Sequence, residues 1–569
     1  MPALEKPLHF RRPVGRPKGR GVDASVSARV AELLADLPRR PDLLIEALHR
    51  VQDGERHLSA SAIASIAEAF RMSQAEVFEV ATFYHHFDVI GDGQAPPPAL
   101  TVRVCDSISC ALNGADALAA ALEAGLPADA VRVQRVPCVG RCDRGPVAIV
   151  DRHPIEQATP QAVLAAVDAG ERECALPAAP RFAEAMAAGE YAQLRRCLSG
   201  ETSRDAVLAE LEASGLRGLG GAGFPTHRKW RTVAAQPAPR LMAVNADEGE
   251  PGTFKDRVWL ETAPHRILEG MLIGAWTVGA SEVYVYLRDE YAGVRAWLER
   301  ELPALRAWLA AEWPADAGPA PQVHLRRGAG AYVCGEESAM IESIEGRRGM
   351  PRLRPPYVAQ VGLFGRPTLV NNPETLMWAA TILERGGAAY AGNGRRERVG
   401  LRSFSVSGRV REPGVKLAPA GITLRELIDE HCGGMAPGHV LYGYLPGGAS
   451  GGILPASLAD VPLDFDTLAP HGAFVGSCAV VVLSEHDRAR DAAANLLRFF
   501  RHESCGQCTP CRVGTAKAEP LLDADAWDGA LLGELSRAMR DASICGLGQA
   551  APNPFDSVLR HFRHEVSKA

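Results

Sequence analysis

No apolar run in the 569 residues approaches the length of about eighteen needed to cross a bilayer. The longest candidates, such as Ala473–Leu483, have the length of buried strands, so a membrane-spanning chain is excluded. Charge of one sign is also scarce. Lys+Arg of 62 against Asp+Glu of 68 gives 62 − 68 = −6, too small an excess to create a dominating field for nucleic acid or anionic lipid. Neither is expected as a partner. The first twenty residues are basic (Lys6, Arg11, Arg12, Arg16, Lys18, Arg20) but lack the apolar stretch of an export signal, so a cytoplasmic chain is expected. There is no internal repeat. With 47% hydrophobic and 23% charged residues the composition is that of a globular chain of about four folded units.

Thirteen cysteines in a chain without an export signal argue for metal binding rather than disulfides, and their spacing carries the reading. Segment 1–22 reads as a basic arm without apolar periodicity. Residues 23–95 read as four short helices, with Ser73 and Glu76 forming a capping box on the last. After the break at Gly91–Pro98, residues 96–172 alternate strands (Leu100–Cys105, Val131–Val136, Val147–Val150) with helices, as a small α/β domain does. A linker over 173–200 leads to an α/β domain at 201–398, a β-rich unit at 399–485 and a helical end at 486–569.

Cys105/Cys110 and Cys138/Cys142 each occupy a loop that follows a predicted strand of the small domain. Four thiolates supplied two by two suit a [2Fe-2S] rhomb, while tetrahedral zinc accepts the same four ligands but usually takes tighter knuckles. Cys505, Cys508 and Cys511 form a C-x2-C-x2-C run that caps three irons of a cubane, and Cys545 is available as the fourth ligand. This spacing points to [4Fe-4S], with zinc or a redox-active dithiol as competitors. Cys174, Cys197, Cys334, Cys432 and Cys478 stand alone and are expected as buried apolar side chains.

Gly218, Gly220, Gly221 and Gly223 satisfy a G-x-G-x-x-G pattern in the letter, but a helix rather than a strand precedes it. A standard dinucleotide fingerprint is therefore not assigned, although such a loop admits a phosphate or a flat ring, with Lys229 as countercharge. Asn245–Gly252 follows a predicted strand and is dense in carboxylates that accept from sugar hydroxyls; a surface turn is the alternative. Gly328–Glu337 and Val370–Thr375 are further polar turns able to line the same cleft.

Together these segments resemble the flavoprotein subunit that carries the NADH site of respiratory complex I and of related NAD-linked dehydrogenases, from about residue 214 to 554. Residues 23 to about 170 resemble that family's thioredoxin-like [2Fe-2S] partner, here fused upstream. The resemblance implies a multidomain α/β and α+β chain: N-terminal helices and a thioredoxin-like domain, a Rossmann-like FMN/NAD domain, a ubiquitin-like β-grasp (SLBB-like) domain, and a C-terminal helical bundle around [4Fe-4S]. It places FMN on Gly218, Gly220, Gly221, Gly223, Lys229, Asn245, Asp247, Glu248, Tyr286, Glu290, Val370, Asn371, Asn372 and Thr375. It sets the nicotinamide over the flavin, with Phe224 as an aromatic wall and Glu250 as the catalytic-site carboxylate beside it. NAD(H) is then the small-molecule substrate and FMN the carrier of the chemistry.

Four residues depart from the family's pattern: Leu219 stands for Arg, His227 and Asp289 for Gly, and Thr232 for an aromatic. The ending Cys545–Pro554 resembles the soluble branch, NAD-dependent formate dehydrogenases and NAD-reducing hydrogenases, more than complex I; within it the complete four-cysteine set and Leu219 suit the diaphorase subunit of formate dehydrogenase, with that of NAD-reducing hydrogenase or a complex I-like NADH dehydrogenase as the alternative. No pterin or nickel site is evident, so a partner subunit with a molybdenum or tungsten pterin and further clusters is expected. A reading from another class is a zinc-stapled assembly protein without enzymatic activity.

Overall fold

The computed structural model describes residues 19–318 and 320–567, and the chain divides into two compact units, Met1–Pro96 and Pro97–Ala569. Most of the basic arm, residues 1–18, lies outside the described residues.

In the first unit, helices span Ala24–Leu33, Leu44–Glu55, Ala60–Phe70 and Gln74–Ala81. Their starts are local. Asp23 accepts from the amides of Ser25 and Val26, Ser59 accepts from Ala62, and Ser73 and Glu76 close the expected capping box. The apolar faces meet through Leu44, Leu48, Val51, Ile63, Ile66, Phe70 and Val77, all buried. A parallel pairing of Leu58–Ser59 with Val89–Ile90 is too short to leave a periodic signal in the sequence.

In the second unit, the strand Leu100–Cys105 lies parallel to Val131–Val136, with Cys105 opposite Val136, and antiparallel to Ala148–Val150, which pairs with His153–Ile155. Two neighbouring parallel strands end at the same sheet edge, so the loops carrying the two cysteine pairs emerge side by side.

Next comes a four-stranded parallel sheet in the order Thr368–Asn371, Arg240–Ala246, Ala280–Leu287, Gln322–Arg327. The chain builds outward from Arg240–Ala246 in one direction and returns to place Thr368–Asn371 on its other side. The crevice between the ends of these two strands is the switch point where ligands bind in open α/β sheets. Asn245–Asp247 and Val370–Asn372 sit there. The helix Pro264–Val278, buried almost all round, packs against Pro373–Arg385 and anchors the sheet from behind.

A mixed five-stranded sheet follows, with Leu401–Gly408 parallel to Ala479–Ser484 at its centre and antiparallel strands Gly414–Pro419, Leu441–Leu445 and Leu454–Pro455 outside them. A capping box on Thr423 and Glu426 starts the helical segment that covers it. The C-terminal helices Ala489–His502, Thr509–Leu522, Gly529–Ala542 and Asn553–His561 pack on one another as a bundle. Among the described residues no helix is long and apolar enough to cross a membrane.

Candidate functional site

A cleft of about 1460 Å³ opens at the sheet's switch point. Its lining takes in Gly218, Gly220, Gly221, Gly223, Phe224, Lys229, Asn245, Asp247, Glu248, Glu250, Val370, Asn371 and Asn372, so the separate sequence segments do converge. The glycine loop is closed on itself, Gly218 N–H donating to the Phe224 carbonyl at 2.8 Å, and it rests on the Thr375 hydroxyl through the Leu219 amide at 2.9 Å. Gly223 has φ +63°, and a Cβ there would meet the Phe465 ring at 2.5 Å. Phe224 is 49% exposed, a flat apolar wall open to a planar ligand.

The polar groups are held firmly. Trp230 donates to Asn371 Oδ1 at 2.9 Å, Asn372 donates to the Asp256 carboxylate at 3.2 Å, and Asn245 donates to the Gly335 carbonyl at 2.8 Å. Lys229 Nζ donates to the Val370 carbonyl at 3.1 Å, and burial lowers its pKa. Lys255, itself buried, pairs with Asp256 at 3.0 Å and Glu374 at 2.9 Å, and Lys255 and Asp256 both reach the cleft lining. Asp247 is the exception. Its Oδ2 is buried with no hydrogen-bond partner, and burial raises its pKa well above the ordinary value. An orphaned acceptor in a glycine-walled cleft fits a ligand rich in hydroxyls, as the ribityl and ribose groups of FMN and NAD(H) are.

Three residues assigned by resemblance stand outside the lining. Tyr286, on the strand Ala280–Leu287, is buried with its hydroxyl 3.0 Å from Ser343 Oγ. Glu290 is occupied by Arg288 at 2.8 Å, and Thr375 supports the loop from behind. Of the departures, Leu219 is buried, Thr232 lines the cleft, and His227 lies 3.7 Å from Glu212. Asp289 is no free charge near the flavin: Arg295 at 2.7 Å and Arg327 at 2.5 Å neutralise it.

Of the cleft's remaining walls, only the turn carrying Glu336 and Glu337 is expected from the sequence. Glu336 and Glu337 face Arg354, Ser450 and Ser477 come from the β-rich sheet, and Ser543–Leu547 come from the C-terminal bundle. Glu250 links its cleft loop to the β-rich unit, accepting from Ser450 N–H at 2.8 Å and Ser477 Oγ at 3.3 Å.

Cys505, Cys508, Cys511 and Cys545 line one small pocket together. Burial pushes the Cys511 and Cys545 thiols up to about 12 and about 11. Such thiols ionise readily only with a metal to compensate them. Cys545 also lines the large cleft, as do Val333, Pro351, Ile544 and Leu547, so these residues border both cavities. In the small domain Cys105 lies within hydrogen-bonding range of Cys110 and Cys138, and Cys138 and Cys142 are 3.3 Å apart. All four are buried, and Phe254 of the cleft loop covers Cys138 and Cys142. Both donor sets fit iron–sulfur clusters by ligand type and number.

Glu248 accepts from the amides of Asp256 at 2.8 Å and Arg257 at 3.0 Å and from Tyr291 Oη at 2.9 Å. Burial, reinforced by Asp256, still pushes its carboxyl up from 4.5 to about 7. The folded chain keeps a proton there that the unfolded chain has released, so this contribution to stability is intact below pH 4.5 and is lost as pH rises through 7. Glu248→Gln is expected to flatten the fall in melting temperature between about pH 5 and about pH 8. Parallel curves for variant and wild type would contradict that.

These cavities define a flavin- and iron–sulfur-dependent oxidoreductase subunit. In chain order the family models that match are a thioredoxin-like [2Fe-2S] ferredoxin over 30–171, the Nuo51 FMN-binding domain over 211–388, an SLBB domain over 403–454, and the NADH-ubiquinone oxidoreductase-F iron-sulfur binding region over 491–569. The chain is 42% identical over 394 residues to the mitochondrial NADH dehydrogenase [ubiquinone] flavoprotein 1 of Dictyostelium discoideum, covering 67% of this chain and 82% of that protein. It is 42% identical over 376 residues to the mitochondrial NADH-ubiquinone oxidoreductase 51 kDa subunit of Neurospora crassa, covering 64% and 76%. A solved structure of NAD+-reducing [NiFe]-hydrogenase in the H2-reduced state superposes with a TM-score of 0.81 at 32% identity over 94% of both chains. The chain belongs to the family of the 51 kDa flavoprotein subunit of NADH-ubiquinone oxidoreductase, with a thioredoxin-like [2Fe-2S] domain fused ahead of it. It is an NADH-binding flavoprotein subunit carrying FMN-binding, [2Fe-2S] and [4Fe-4S] regions.

Proposed function

We propose that this chain is the diaphorase subunit of an NAD-linked formate dehydrogenase, exchanging a hydride with NAD(H) and single electrons with a partner that oxidises formate at a molybdenum or tungsten pterin. The observation that carries the diaphorase half is the position of Cys545, on the wall between the nucleotide cleft and the four-cysteine pocket. FMN, when bound, supplies the exchange between paired and single electrons.

The chain's own residues position and insulate. Gly218–Gly223 and Lys229 would hold the flavin phosphate end, Asn245, Asp247 and Asn372 would hold hydroxyls, and Phe224 would stack on the nucleotide. Glu250, in the lining of the same cleft, would respond to a charge change at the nicotinamide. The complete four-cysteine set of the small domain and Leu219 support formate as the electron source. A second reading, hydrogen as the source, is favoured by the likeness to the NAD+-reducing hydrogenase over 94% of both chains.

Isolation of the native complex separates the two. Formate-dependent NAD+ reduction with molybdenum or tungsten in the partner is expected. Hydrogen-dependent reduction with nickel would replace that reading with the second, and zinc without flavin would overturn both.

A further inference from the structure

Arg288 follows the strand Ala280–Leu287 and is 4% exposed. One of its terminal nitrogens donates to the Glu248 carbonyl in the cleft loop, and the other donates to the Cys138 carbonyl at 2.6 Å. The same guanidinium pairs with Glu290 at 2.8 Å and lies 5.1 Å from the centre of the Tyr291 ring. Tyr291 in turn donates to Glu248 and presses on Gly140, where φ is +74° and a Cβ would lie 2.5 Å from the phenol oxygen. Arg257 adds a second clamp, donating to the Gly140 carbonyl at 2.9 Å and to Asp143 at 3.2 Å. Two buried arginines of the flavin domain therefore grip the loop that carries Cys138 and Cys142. Arg288 is the one whose fork ties a backbone carbonyl of that loop to a backbone carbonyl of the Glu248 loop.

We propose that Arg288 is a positioning residue for electron exchange with the [2Fe-2S] cluster: it seats the Cys138 loop on the Glu248 loop, and its charge raises the cluster's reduction potential. The step moves one electron. With one electron supplied by the flavin, the cluster held by these cysteines would be one unit more negative, a state that the fixed buried cation beside Cys138 would favour. Glu290 offsets part of this field, so the two residues act with opposite sign. The planar fork is needed as well as the charge, because one ammonium cannot bridge two carbonyls and a carboxylate in this geometry. The inference rests on Cys105, Cys110, Cys138 and Cys142 holding the cluster.

The test is a redox titration of the [2Fe-2S] signal by electron paramagnetic resonance in the full chain loaded with iron and sulfide, with iron content measured on every sample. Arg288→Met is expected to lower the ratio of reduced to oxidised cluster at a fixed potential by roughly tenfold. Glu290→Gln is expected to raise it. Arg288→Lys keeps most of the potential and slows reduction of the cluster by NADH, which separates bridging from charge. Unchanged ratios in Arg288→Met and Glu290→Gln at wild-type iron content would overturn the proposal; if Arg288→Met does not fold, an unchanged ratio in Glu290→Gln does so alone. Wild-type protein that binds no iron at the four cysteines would instead overturn the cluster assignment.

Discussion

Cys508→Ala is expected to cut electron transfer from NADH to the partner subunit by at least about a hundredfold while the flavin is still reduced by NADH at close to the wild-type rate. Altering groups that merely support a metal ligand already costs roughly 10- to 100-fold, so losing a ligand itself costs no less. Cys508 is the right position because it lines the four-cysteine pocket and not the cleft. Cys545→Ala breaks the same pocket but also removes a side chain from the cleft wall, so flavin affinity should fall with it. Rapid mixing separates the two outcomes, flavin bleaching reporting the first step and partner reduction the second. Cys432→Ala is the control: this thiol is buried in the core of the β-rich sheet and should affect stability alone. Wild-type transfer to the partner in Cys508→Ala would remove the [4Fe-4S] assignment.

The parts of this site legible in the sequence are those whose chemistry is local. Cysteine spacings survive any fold, and Asn245–Asp247 and Val370–Asn372 announce themselves as polar residues at strand ends. The helix before Gly218 is equally plain, and it is why the glycine loop is not a Rossmann turn: the helix Arg204–Ala213 precedes it, and the loop is fixed in the cleft by residues far along the chain, Thr375, Asn372 and Phe465 among them. Other features depend on long-range partners. Tyr286 faces Ser343 rather than the cleft, and Glu290 is taken by Arg288, two residues away. Asp289 reads as a new negative charge until Arg295 and Arg327 are seen on either side of it. The walls supplied by Ser450, Ser477 and Ser543–Leu547 come from other domains, so no local pattern marks them.

Glu250→Gln should raise the flavin potential and weaken binding of NAD+ relative to NADH, with little effect on folding. Both oxygens of the carboxylate are already placed, one by the Ser450 amide at 2.8 Å and one by Ser477 at 3.3 Å, and glutamine of the same shape keeps the first. What disappears is a charge. At an effective dielectric constant of about 20, one unit charge at about 8 Å contributes about 2 kcal/mol, or about 40 mV for a two-electron couple. Reduction adds negative charge beside Glu250, and NAD+ is more positive than NADH, so both shifts follow from the same field. Burial raises the Glu250 pKa, which fixes the sign of the pH dependence: the difference between variant and wild type grows as pH rises and the carboxyl ionises, and it fades at low pH where both side chains are neutral. A purely steric role predicts a difference independent of pH. Asp289→Asn supplies the companion measurement. With Asp289 held by two arginines outside the cleft lining, the double variant should show the sum of the single effects to within about 0.5 kcal/mol. Potential and both nucleotide affinities unchanged in Glu250→Gln across the pH range would reduce this residue to a hydrogen-bonded link between the cleft loop and the β-rich sheet.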